Sequence, residues 1–386
     1  MWFFSDEQKM LAETVRQFAR DELAPQIETL DHEEKFNDPA FRKMGDLGLL
    51  GISVKEEDGG AGLGAVEATI AMEEMGAVDA SSTLSYLAHA ILCVNQIGAN
   101  GSAEQKSKYL PDLISGKKIG GMGMSEPGAG SDMLGMTTKA VKQSDGSYLL
   151  TGTKTWITNG PTGDTFYVYA KTGDSKKDVS TFIVERGMAG FSTGKKFSKM
   201  GMRASPTGEL VFDQVKIPEE NRVGNEGGSV KRMMVNLDLE RVTIAGISLG
   251  IARGAIEVAT QYAKDRKQFG KAIGSFQMIQ ERLAEASANY EAGRHLTYNV
   301  AKMFDDGLLN GKEASVLSAK AKLQAAQMAT KVALDAIQIL GGYGYTREFP
   351  VERMMRDAKL IEIGAGTNEV MRMIIARQML GEIAAL

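Results

Sequence analysis

The sequence predicts an α+β multidomain chain: a helical N-terminal segment, a central β domain of barrel or sandwich type, and a C-terminal helix bundle. Three observations point there. At 386 residues the chain exceeds the size at which one core stops growing. Its hydrophobic period turns strand-like near Gly121 and helical again after the Gly227-Gly228 pair. The last third consists of long Ala/Met/Leu-rich amphipathic runs, a bundle pattern that offers large faces for self-association. The expected domains are 1–120, 121–225 and 226–386.

Taken in order, Ser5 with Gln8 forms a capping-box pattern, and Met10, Leu11, Val15 and Phe18 then repeat on one helical face. Further helical patterns run from Asp38 to Leu49, Val66 to Met75 and Ser81 to Ile97. The stretch Asp58 to Gly64 contains Gly60-x-Gly62-x-x-Ala65, a loose dinucleotide fingerprint. No βαβ alternation follows it, so we read it as a loop. In the β region the strand-like runs are Ser147 to Thr151, Lys154 to Thr158, Thr165 to Lys171, Ser180 to Glu185 and Glu209 to Val215. The helical pattern of the last third breaks near Gly270 to Gly274 and Gly341 to Gly344.

Composition excludes several functions. A net charge of −4 without a basic face argues against binding nucleic acid or an anionic membrane. One cysteine, Cys93, cannot form an internal disulfide, and with only His32, His89 and His295 besides, a zinc site is not expected. No uninterrupted apolar run reaches the roughly 18 residues of a membrane span, so no membrane insertion is expected. The opening MWFFSDEQKM follows neither a secretory nor a transit plan, so the expected location is cytoplasmic.

One residue breaks the pattern around it. In RMMVNLDLERVTIAGISL, Met233, Leu237, Ile244 and Ile247 form an apolar stripe, and Glu240 completes it. Either Glu240 lies at the margin and pairs with a cation such as Arg241, or it is a general base facing a pocket, tuned by burial. A second feature is the pair of segments GMSEPGAGSD (Gly123 to Asp132) and KTWITNG (Lys154 to Gly160). Small and hydroxyl residues let backbone N–H groups approach a flat or anionic ligand, and Trp156 beside Thr158 supplies an aromatic wall with a polar handle.

The first of these segments and Gln338 to Asp357, QILGGYGYTREFPVERMMRD, resemble the two signatures of the acyl-CoA dehydrogenase family, in the family's order. The resemblance covers essentially the whole chain. It implies a helical N-terminal domain, a central β domain, a C-terminal four-helix bundle, bound FAD and a homotetramer. It places Met124, Ser125, Trp156 and Thr158 around the isoalloxazine ring, and Ser131 near the acyl-CoA and its cofactor. Arg266, Phe269 and Gln277, and likewise Gln338, Gly341 and Gly342, match residues that reach a neighbouring subunit's FAD. Thr367 and Glu369 match residues near the adenosine part of FAD. The implied reaction is α,β-dehydrogenation of an acyl-CoA thioester: a base takes the α-proton, the flavin takes the β-hydride, and an electron-transferring flavoprotein reoxidises it. Polarisation of the thioester oxygen falls to a flavin hydroxyl and the Ala365 backbone N–H.

The chain departs from the family where most members carry their base. The corresponding run is Gly364-Ala365-Gly366-Thr367, in which Ala365 cannot accept a proton, and Glu362 aligns three residues too early. The isovaleryl-CoA branch of the family places its glutamate in a Leu-Asp-Leu-Glu-Arg run instead, present here as Leu237 to Arg241. EIGAGT, KYLPDLISG and KTWITNGP are also shared with that branch. The resemblance thus makes Glu240 the base and Gly364 the residue that opens room for a branched acyl group. Leu84, Ala88, Arg241, Ile244, Ala365 and Gly366 complete the substrate site, while Leu87, Ala90 and Ile91 depart from the branch. The expected substrate is a short branched acyl-CoA. Another branched, alicyclic or aryl-substituted acyl-CoA, or a non-catalytic flavin-binding relative, are the alternatives.

Overall fold

A computed structural model describes residues 4–381. The first three residues of the aromatic start and residues 382–386 of the C-terminal domain lie outside the described residues. Helices α1 (Asp6–Phe18), α2 (Ile27–Glu33), α3 (Asp38–Asp46), α4 (Ala65–Gly76), α5 (Ala80–His89), α6 (Asn95–Asn100) and α7 (Ala103–Ile114) form the N-terminal part. The capping box closes as expected: Gln8 N–H donates to Ser5 Oγ at 3.2 Å, and Ser5 N–H to Gln8 Oε1 at 3.0 Å. The buried face of α1 is Ala12, Val15 and Phe18, while Met10 is 70% exposed.

At the glycine-rich loop before α4, a side chain already occupies the helix N-terminus. Asp305 accepts from Ala65 N–H at 2.6 Å and Val66 N–H at 2.9 Å, the position an anion would take. The run from Ser81 to Ile97 is helical through a π-turn over Ala90–Val94 that joins α5 to α6. A π-turn inside a helix often marks a functional site, and this one follows directly on the expected acyl-pocket residues.

The β strands are β1 (Gly120–Gly123), β2 (Lys139–Lys142), β3 (Tyr148–Thr158), β4 (Thr165–Lys171), β5 (Val179–Glu185), β6 (Phe191–Lys196), β7 (Thr207–Ile217) and β8 (Arg222–Val223). The two expected runs at 147–151 and 154–158 are one strand, β3, whose pairing with β7 shifts register twice. The sheet order is β6-β7-β3-β2-β4-β5-β8, with β1 parallel to β4. The sheet folds over on itself. Phe166 of β4 lies 5.6 Å from Phe191 of β6, and Tyr148 of β3 lies 5.0 Å from Phe182 of β5, although other strands separate each pair in the sheet order. The enclosed side chains, among them Leu150, Val168, Phe182 and Leu210, make a core of their own. The opposite face of β4 presents Tyr167 and Tyr169 to Met233 and Leu237.

The C-terminal part contains three long helices, α8 (Ser229–Asp265), α9 (Gln277–Asp305) and α10 (Gly311–Leu340). Two short ones, α11 (Val351–Ile361) and α12 (Asn368–Leu380), share the remaining place by packing on α10. Between α8 and α9, a hairpin of β9 (Lys267–Gln268) and β10 (Lys271–Ala272) accounts for the glycine break. By length and composition α8 could cross a membrane, but 78% of its apolar window is buried inside the protein, as a core helix requires. It crosses α4 at backbone distance: a β-carbon on Gly250 would lie 2.5 Å from the Glu73 carbonyl oxygen, and one on Gly246 2.9 Å from that of Thr69. That contact fixes the rotation of α8, and with it the direction in which Glu240 points.

Candidate active site

Glu240 is 7% exposed, and among the described residues its carboxylate has no hydrogen bond or ion pair. Outside the helix ladder its carbonyl accepts from the Thr243 hydroxyl at 3.1 Å. The alternative of a Glu240–Arg241 pair is not realised. Adjacent helical residues point about 100° apart, whereas residues three apart share a face. Arg241 accordingly bonds Asp238 at 2.8 Å, and Ser315 donates to the other Asp238 oxygen at 2.7 Å. Burial pushes the Glu240 carboxyl up to about 7 against the opposing charges of Arg241 and Lys322. A carboxyl at that value can accept a proton near neutrality.

The loop between α11 and α12 provides the second half of the site. Ile363 and Gly364 N–H close back on the Leu360 carbonyl, and Thr367 caps α12 by accepting from Val370 N–H at 3.2 Å. Ala365 and Gly366 are both left-handed, with φ of 55° and 88°. For alanine that conformation costs on the order of 1 kcal/mol. Among the described residues the Ala365 N–H makes no hydrogen bond, so this strained turn presents a free donor, the requirement for polarising a carbonyl oxygen. Lys322, fully buried on α10, donates to the Gly366 carbonyl at 2.8 Å and to Asn368 Oδ1 at 3.3 Å. The Glu362 carboxylate is held by Lys359 at 2.6 Å. A β-carbon on Gly364 would meet only the Leu360 carbonyl oxygen at 3.5 Å, so the space beside it is open. Leu84, Ala88 and Ile244 are buried, and Leu87, Ala90 and Ile91 are buried too, the last three in the cluster that holds Leu84 and Ile244.

The two glycine- and hydroxyl-rich segments meet on the sheet. Lys154, fully buried, donates to Glu126 at 2.8 Å and to the Met124 carbonyl at 3.0 Å, and Thr155 N–H donates to the Ser125 carbonyl at 2.8 Å. Thr137 and Thr138 N–H also bond Glu126. Burial opposes charge on Glu126, but the Lys154 ammonium and these donors hold its carboxyl down to about 2. Glu126 is therefore the pin of the loop. Beside it Trp156, at φ 60° and 62% exposed, stacks on Phe197 with centroids 4.3 Å apart. Met124 is buried, Ser125 and Thr158 are half-buried, and Ser131 is exposed. An exposed flat ring beside hydroxyls and a glycine loop, with open space at Gly128 and Gly130, fits a flat cofactor with a phosphate-bearing arm.

The other expected cofactor residues lie largely on the surface of this chain. Arg266, Gln277, Gln338, Gly341, Gly342 and Glu369 are exposed, Thr367 is half-buried, and Phe269, on the β9–β10 hairpin at φ 54°, is 92% exposed. The sequence reading missed a cavity of about 1070 Å³ between α8, the start of α10 and α12. Asp238 and Ser315 line it at one end, Met234, Leu309 and Val316 supply apolar wall, and Lys231, Lys312 and Arg377 supply positive charge. It missed Lys322 as well, although Ala319, Lys322, Ala326 and Ala329 form a buried stripe interrupted by a charge, the same signal that exposed Glu240.

A three-part fold with a buried, unpaired carboxylate, a strained donor turn and a flat cofactor wall has the parts of an enzyme that moves a proton beside a flat cofactor. The chain belongs to the acyl-CoA dehydrogenase family of FAD-dependent oxidoreductases. Its N-terminal, middle and C-terminal domain models match residues 5–117, 121–215 and 227–380. The chain is 47% identical to the mitochondrial isovaleryl-CoA dehydrogenase of Solanum tuberosum, over 98% of this chain and 92% of the relative. It is 43% identical to the mitochondrial 2-methylacyl-CoA dehydrogenase of the same plant, over 97% and 90%. A solved chain from work on the electron-transferring flavoprotein of Acidaminococcus fermentans superposes with a TM-score of 0.95 at 39% identity, over 99% of this chain and 100% of that one.

Proposed function

We propose that this chain dehydrogenates a short branched-chain acyl-CoA, isovaleryl-CoA or a close analogue, to the 2-enoyl-CoA with Glu240 as the base. The observation that carries the reading is a pair of facts. Glu240 is buried without a partner, and the position where most of the family carries its base is Ala365. FAD, when bound, supplies the acceptor for the substrate's β-hydrogen. Met124, Ser125, Trp156 and Thr158 would hold its ring, and Thr367 and Glu369 its adenosine part. Arg266, Phe269, Gln277, Gln338, Gly341 and Gly342, exposed on this chain, would reach the FAD of a neighbouring subunit in a homotetramer. An electron-transferring flavoprotein is the proposed electron acceptor.

The protein's own part is proton chemistry and positioning. Ala365 N–H donates to the thioester oxygen, which draws charge from the α-carbon and acidifies its proton. Glu240 takes that proton, and its position in a dry site keeps it basic enough to do so. The cavity beside Asp238 suits the pantetheine arm, with Lys231, Lys312 and Arg377 answering the phosphates. Leu84, Ala88 and Ile244 bound the acyl group, and the space at Gly364 admits a branch.

Glu240→Gln is expected to retain FAD and lose flavin bleaching under anaerobic acyl-CoA addition. Normal bleaching by that variant contradicts the assignment. Kinship with the 2-methylacyl-CoA enzyme supports a second reading, branching at carbon 2. A panel of isovaleryl-, 2-methylbutyryl-, butyryl- and cyclic acyl-CoA thioesters separates the two by kcat/KM.

A further inference from the structure

Two cations act on Glu240, and only one of them is otherwise uncommitted to a carboxylate. Arg241 on α8 is tied to Asp238, which is tied in turn to Ser315. Lys322 on α10 has no carboxylate within ion-pair distance among the described residues, and its two bonds go to a carbonyl and an amide oxygen of the 364–368 turn. A fully buried ammonium with two neutral acceptors is a costly arrangement unless a negative charge nearby offsets it. Of the acidic groups that act on Lys322, Glu240 acts most strongly. Glu362, after α11, is bound to Lys359, and Glu369, on α12, to Arg372. On the β side, the buried hydroxyl of Tyr169 on β4 is the titratable group that feels Glu240.

Resting on the proposed role of Glu240, we infer that Lys322 is a positioning residue for proton abstraction: its ammonium both answers the Glu240 charge across the α8–α10 contact and fixes the turn that carries the Ala365 donor. One side chain thereby links the base to the group that acidifies its target. Burial brings the Lys322 ammonium down to about 8, and the Glu240 charge opposes that fall. A lysine that only braced the turn would leave the titration of Glu240 unchanged.

The test compares the FAD-loaded wild type with Lys322→Gln, which keeps a neutral donor for the Gly366 carbonyl, and Lys322→Arg, which keeps the charge. Single-turnover flavin reduction by isovaleryl-CoA is followed across the neutral pH range. In parallel, the protonated Glu240 carbonyl band, identified by its absence in Glu240→Gln, is titrated by infrared difference spectroscopy without substrate. Removal of the charge should move both midpoints up by about one pH unit, so that the rate falls about tenfold below the midpoint and recovers above it. The arginine variant should keep the wild-type midpoint. A glutamine variant with the wild-type midpoint overturns the inference, whether its rate is uniformly lowered or unchanged. If the glutamine variant does not fold, an arginine midpoint displaced by a full unit overturns it and a retained midpoint supports it. Failure of the base assignment is separate: there Glu240→Gln itself still reduces the flavin.

Discussion

Glu240 and Glu73 are both buried glutamates on helices that pack against each other, yet their surroundings differ completely. Glu73, on α4, accepts from Tyr290 at 2.5 Å and Tyr298 at 2.7 Å, pairs with Arg294 at 3.0 Å, and has Arg253 at 3.8 Å. Glu240, on α8, has none of these. Burial alone therefore does not mark a catalytic carboxylate. A carboxylate saturated with donors is part of the architecture, whereas one left bare breaks no hydrogen bond when its protonation changes.

The sharpest way to break this contrast is to neutralise each glutamate in turn. Glu240→Gln should lower the rate of flavin reduction by about 10² to 10⁴-fold in stopped-flow traces, the range of a general base. Glu73→Gln should instead destabilise the fold by about 3–5 kcal/mol in denaturant titration, because Arg294 loses its counter-charge. Its pH–rate midpoint should stay in place.

The pH dependence of stability separates the two next. Glu240 sits at about 7 in the fold against 4.5 for an ordinary glutamate, so the folded state binds the extra proton between those values. Its contribution is complete below 4.5 and is lost as pH rises through 7, up to about 3 kcal/mol. Calorimetry should therefore show Glu240→Gln melting above the wild type at alkaline pH and level with it in acid. Glu126 offers the reverse sign, since its carboxyl is held at about 2. The ion pair with Lys154 contributes above the ordinary carboxylate range and is released as pH falls toward 2. Glu126→Gln should accordingly weaken FAD retention at neutral pH by about ten- to a hundredfold, measured by fluorescence of released flavin. The smallest effect concerns the acyl pocket: Gly364→Tyr should shift the kcat/KM ratio from branched toward straight-chain thioesters by about tenfold or more.

How much of this could be read without coordinates depended on whether the signal was local. Glu240 stood out because a charge interrupted a helical stripe. Lys322 carried the same signal and escaped notice, since a lysine can snorkel and alanines make a faint stripe. The partner of Arg241 was open in the sequence and was settled by helical geometry, which favours Asp238 over the adjacent Glu240. The strand-like runs at 147–151 and 154–158 were found, but not that bulges join them into β3, because register depends on β7 some sixty residues away. The Glu126–Lys154 pin and the cavity beside Asp238 arise between segments remote in the chain, and no periodicity announces such contacts.

On the proposed assignment the bare carboxylate moves the proton and the saturated one does not. Exchange of α-hydrogens with solvent deuterium, followed by mass spectrometry on a branched acyl-CoA analogue that cannot be oxidised, isolates that step from the redox chemistry. The wild type and Glu73→Gln should exchange the α-hydrogen and Glu240→Gln should not. Exchange by Glu240→Gln at the wild-type rate would place the base elsewhere in the molecule.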